Sequence, residues 1–198
     1  MRKARQLLLT LLIIGMVGLA SFATFSAFSS TTQNSGNSFA AGTVYIADND
    51  AGSAMYSLTN QKPGVTTSRC IKVTYSGSLD ADVKLYSTSS IGSVGQYVNL
   101  TITPGTQVTS VFPDCTGFVA DATGALYSGT LANFVSTHGS YANGLADFPG
   151  TLATKWATND SVVYRFDVSV QDDNNANGGA SGALSTGSHT FIWEARNQ

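Results

Sequence analysis

Charge is what this sequence has least of. Asp, Glu, Lys and Arg make up 11% of its 198 residues, far below the usual quarter. The net charge is −2, so the chain lacks the clustered basic surface that neutralises phosphates, and nucleic acid is excluded as a partner. Histidine is almost missing: there are two, His138 and His189. No His-Glu-x-x-His, Gly-x-Ser-x-Gly or Ser-x-x-Lys occurs, which leaves no recognisable zinc site and no standard serine nucleophile. His138, beside Gly139, reads as a helix-end residue, where imidazole is favourable next to C-terminal carbonyls. His189 opens the last strand and is expected to face solvent. The two cysteines, Cys70 and Cys115, leave two readings: a bridge, worth roughly 4 kcal/mol in loop entropy if the chain is exported, or two buried thiols.

What is present begins with an export signal. Arg2, Lys3 and Arg5 precede an apolar run from Leu7 to Ala20, and small residues follow at Thr24 and Ser26. A basic start, an apolar stretch and small residues at −3 and −1 are what a signal peptidase reads. Cleavage is therefore expected between Ser26 and Ala27. An uncleaved membrane anchor is the alternative, since an apolar stretch of about twenty residues can span a bilayer. Cleavage removes three positive charges and no acid, taking the net charge from −2 to about −5 and leaving about 172 residues, enough for one domain with a real core. The organisation expected is a signal over 1–26, an N-terminal segment over 27–42 and a folded domain over 43–198. No cysteine sits at the cleavage site, and the end from Thr190 to Gln198 has neither a sortase-type motif nor an apolar span. After cleavage no tether to the membrane is expected.

Ala27-Phe28, a polar spacer, and Phe39-Ala40-Ala41-Gly42-Thr43-Val44-Tyr45-Ile46 resemble the start of mature TasA-type proteins, a family that includes camelysin. The resemblance is carried by about twenty residues, Ala27 to Ile46. It implies a secreted β-sandwich subunit that assembles into matrix fibres or thin pili, with a SipW-type signal peptidase and, where initiation needs one, an accessory fibre subunit as partners. Camelysin is classed as a metalloendopeptidase. Without a zinc triad to receive that activity, no catalytic residue is carried over.

Alternation with period two dominates the rest and predicts strands with one buried face. Val162, Tyr164, Phe166, Val168 and Val170 form the clearest set; Ile71, Val73 and Tyr75 form another, as do Val98, Leu100 and Ile102. Val83 and Leu85 supply a shorter strand, expected to pair with the Ile71 strand through Ser76-Gly77-Ser78. A further strand is expected around Phe191 to Ala195. Turns are expected at Asp48 to Gly52, Pro63-Gly64, Pro104-Gly105 and Asn174 to Gly179. Leu131, Phe134 and Val135 recur at helical spacing inside the long connection from Pro113 to Pro149. The fold expected is all-β, an antiparallel jelly-roll-like sandwich with one short helix in a long connection.

Two acidic turns, with Asp48 and Asp50 in one and Asp172 and Asp173 in the other, are weak calcium candidates through their hard oxygen ligands; solvated hairpin turns, whose Asp and Asn side chains bond the local backbone, are the favoured reading. No other cofactor is implied. Tyr164, Phe166 and Trp193 read as core, and Trp156, among polar neighbours, as a candidate exposed contact. The stretch from Ala27 to Asn37 has no charge and no proline, and Phe28 is its one large side chain. Such a segment suits strand addition to a second copy, with Ala27, Phe28, Phe39 and Gly42 as the assembly positions. The competing functions are a monomeric surface module for glycan or protein, and a camelysin-like metalloendopeptidase.

Overall fold

The computed structural model describes residues 40–150, 153–176 and 185–197. The signal, the Ser26–Ala27 junction, Phe28 and Phe39 lie outside the described residues. The compact unit Ala41–Gln198 contains β1 (Ile46–Asp48), β2 (Thr66–Tyr75), β3 (Asp82–Tyr86), β4 (Val98–Gln107), β5 (Phe118–Ala120), β6 (Tyr127–Thr130), α1 (Leu131–Thr137), β7 (Leu145–Asp147), β8 (Ser161–Val170) and β9 (Ile192–Arg196). All pairings are antiparallel. The larger sheet runs β1-β2-β8-β4, with β5 and β6 sharing the far edge of β4, and the smaller runs β7-β3-β9.

The alternating strands explain this arrangement directly. Ile71, Val73 and Tyr75 of β2, Val162, Tyr164, Phe166 and Val168 of β8, and Leu100 and Ile102 of β4 turn one face inward onto Val83 and Leu85 of β3, with Trp193 and Ala195 of β9 packed against them. The all-β sandwich and its one short helix are as expected. Thr130 caps α1 by accepting a hydrogen bond from the Asn133 N–H, a residue type favoured there because its oxygen satisfies an otherwise free donor. Phe134, fully buried, then carries α1 onto Tyr127 and Phe191.

Three expectations need correction. Pro104-Gly105 is no turn but lies within β4, opposite Tyr164 and Val163. On the outer side of β4, β6 pairs as far as Ile102 and β5 begins at Gly105. The N–H that Pro104 lacks therefore falls in the gap between two partner strands, where no ladder bond is lost. Gly105 is needed because a Cβ there would meet the Val119 carbonyl at 2.2 Å. Second, β3 does not pair with β2. Ser76 and Ser78 instead donate to Tyr45 and Thr43 ahead of β1, and Tyr75 exchanges bonds with Asn159 and Asp160, so the chain crosses to the other sheet. Third, Trp156 is not exposed but at 0% exposure sits in the core. Its backbone bridges Ala81 and its indole N–H donates to the Asp147 carbonyl at 2.7 Å. Its polar neighbours made it look like a surface residue, yet a local cross-strand bridge points its ring inward.

Candidate functional site

A sandwich of open sheets must deal with its edges, because an unpaired strand edge is a template for another chain. The outer edge of β2 is covered from Ser76 to Cys70. Ser76 N–H donates to the Tyr45 carbonyl, and Asn49 N–H donates to the Lys72 carbonyl. The Lys72 N–H goes to the Asn49 side chain at 2.8 Å. Cys70 N–H donates to the Pro113 carbonyl at 3.0 Å, and the Ser68 carbonyl accepts from its neighbour, the Arg69 guanidinium, at 2.9 Å. The far edge of β4 is covered by β5 and β6.

The outer edges of β1 and β9 carry no strand among the described residues. On either side of β1, Tyr45 and Asn49 direct their backbone groups to β2; alternation then turns those of Ile46 and Asp48 outward. Between the two edges lies a groove of about 230 Å³ lined by Ile46, Ala47 and Asp48, by Val73 beneath, and by Phe191, Ile192 and Trp193. That volume is below the roughly 300 Å³ at which small-molecule pockets begin, but it suits side chains of an added strand. Gly42 stands just ahead of this edge, where a Cβ would come within 2.4 Å of Leu79. Its role within the described residues is this close approach.

Elsewhere the titratable groups are tied into structure. The Asp48 carboxylate accepts from the Asp50 N–H, and Asp50 from the Gly52 N–H at 2.6 Å; Asp173 accepts from the Asn175 N–H at 2.7 Å, while Asp172 is exposed. Burial, with Asp50 alongside, pushes the Asp48 carboxyl up. Among the described residues no three His, Cys, Asp or Glu side chains come together as a metal site requires, so they do not fit a zinc ion. His138 caps α1 and its Nδ1 lies 2.6 Å from the Asn143 carbonyl. His189 does not face solvent: its Nε2 is 2.7 Å from the Tyr56 hydroxyl, and burial lowers its pKa. The Tyr56–His189 pair had no signal in the sequence, because its members are 133 residues apart.

Cys70 and Cys115 form a disulfide across 45 residues, with Cα atoms 5.1 Å apart. Residues 6–99 match the family model described as camelysin metallo-endopeptidase. Over that span, just under half its length, the chain is similar to the camelysin family. The match bears out the resemblance read over Ala27 to Ile46, and it takes in β1, β2 and β3, hence one wall of the groove. No curated protein matches the chain. The peptidase in the family's description finds no metal-binding group among the described residues to rest on.

Proposed function

We propose that this chain is an exported structural subunit that polymerises outside the cell, the segment from Ala27 to Asn37 of one copy adding as a strand to the β1–β9 edge of the next. The observation that supports this reading is that two edges with no strand partner among the described residues, those of β1 and β9, flank one groove lined mainly by apolar side chains. Strand addition takes affinity from main-chain hydrogen bonds and register from alternate side chains in pockets. The segment offers the backbone without charge or proline, and Phe28 as its one large anchor. Its partners are a second copy of itself, a SipW-type peptidase that frees Ala27, and an accessory subunit if initiation needs one.

Electron microscopy of two purified forms tests this. Protein beginning at Ala27 forms filaments and protein beginning at Phe39 stays monomeric; Phe28→Ala weakens assembly without lowering the melting temperature of the monomer. Identical behaviour of the two forms refutes the mechanism. A protein that is monomeric in both forms and retains a glycan or protein ligand is a surface binding module instead.

A further inference from the structure

The segment between β4 and β5 is a strap across the outer face of the larger sheet, and it ends the protection of the β2 edge. β1 pairs only with Val73, Thr74 and Tyr75, and beyond Asn49 the edge is taken over by Pro113 at Cys70. Cys70 and Val163 point away from the core, opposite to Ile71 and Val162, yet both are buried. On this face Cys115 of the strap is bonded to Cys70, and just past the strap the ring of Phe118 in β5 lies under the Arg165 guanidinium.

The fastenings of this strap are few. Besides the disulfide they are the Cys70–Pro113 hydrogen bond, a 3.3 Å bond from the Asn49 amide to Ser110, and the half-buried Phe112 against the core. Val108 is wholly exposed and Val111 largely so. Gln107 bonds the Asp114 and Thr116 carbonyls, which shapes the loop without attaching it to β2. A neutral hydrogen bond contributes little net stability beside the entropy of ordering a ten-residue segment. The covalent bond is the main restraint.

We propose that residues 108–117 are a redox-set guard: with the Cys70–Cys115 bond closed the strap occupies the β2 edge, and with the bond reduced it lifts and leaves that edge open to a strand from a second copy. The step is thiol–disulfide exchange with a dithiol. Cys70 is buried and Cys115 half-buried, so the incoming thiolate attacks the Cys115 sulfur and Cys70 leaves as thiolate. The dithiol's second sulfur then displaces Cys115 and the reagent departs as a cyclic disulfide. Two electrons pass to the protein, and each cysteine sulfur ends with a proton. A disulfide oxidant drives the same exchange backwards and closes the guard. This goes beyond assembly through β1 and β9, because it concerns the separate edge of β2.

Amide hydrogen exchange on the exported protein tests it, comparing the oxidised chain, the chain in dithiothreitol, and Cys115→Ser. The Cys70 amide exchanges at least tenfold faster in the latter two, while the amides of Ile71 and Val73, directed to β8, keep their protection. An unchanged Cys70 amide overturns the guard, and so does equal loss at Ile71 and Val73, which makes the bond a general staple of the fold. Protein beginning at Phe39, without the added-strand segment, associates with rising concentration in sedimentation when reduced and not when oxidised; a monomer in both states overturns the claim that the freed edge accepts a strand. The exchange result stands whether or not filaments form through β1 and β9.

Discussion

Asp147→Asn should flatten the pH dependence of stability. The Asp147 side chain lies at the end of β7, only 9% exposed, and its Oδ2 has no hydrogen-bond partner. Burial raises its pKa from 3.8 to about 6, against the Tyr164 hydroxyl and the Phe148 N–H, which favour the carboxylate. Each pKa unit is 1.36 kcal/mol, so the two-unit gap corresponds to about 3 kcal/mol. The sign follows from proton counting. Below pH 4 the carboxyl is protonated in both states and carries no penalty. Between about pH 4 and 6 the folded state holds the proton and the unfolded state has lost it, so stability falls as pH rises. Above pH 6 the loss is complete and constant. Asparagine has the same shape and does not ionise, so the variant lacks this slope. Its amide N–H groups find no ready acceptor where Oδ2 stood, which costs about 1–3 kcal/mol at every pH and offsets much of the gain at pH 7.5. The decisive quantity is therefore the difference between wild type and variant in urea unfolding at pH 4 and pH 7.5, disulfide intact. It should move by about 2–3 kcal/mol in the variant's favour as pH rises. A difference constant within 0.5 kcal/mol across that range would refute the argument, and so would one moving the other way.

Gly105→Ala should cost about 1–3 kcal/mol in the same assay, since its new methyl meets the Val119 carbonyl and overpacking forces backbone shifts of that size; a neutral substitution would mean β5 yields freely. Calcium should leave the melting temperature where a chelator leaves it, because Asp48, Asp50 and Asp173 already accept local N–H groups; a rise of several degrees with calcium would show that these turns reopen around an ion.

The parts of this fold legible in the sequence are those encoded by neighbours. β8 announces itself through five alternating apolar residues, and α1 through the three-and-four spacing of Leu131, Phe134 and Val135. Where the sequence misled, a distant partner had overridden a local preference. Pro104-Gly105 has turn chemistry, but the gap between β6 and β5 tolerates the proline, and β5 passes too close for anything but glycine. Trp156 sits among polar residues, but a bridge to Ala81 commits it to the core. The strand at Val83 is legible but its partner is not, because Ser76-Gly77-Ser78 has the composition of a hairpin turn while Tyr45 and Thr43 occupy its hydrogen bonds. The uncharged segment after Ser26 was visible from composition. The edges that could receive it were not, since an edge is defined by which pairings are absent, and no window of sequence contains that information.

The middle of the larger sheet is made late. β8 lies between β2 and β4 but follows them by more than fifty residues, so a chain emerging N-terminus first holds two long apolar strands with no common neighbour until residues 161–170 appear. Pairings this distant in sequence form slowly, and unsatisfied strands are prone to join those of other chains in the interval. Until β8 is made, the same backbone groups that will close the sheet are open to a neighbouring chain, and the timing of synthesis decides which partner they meet.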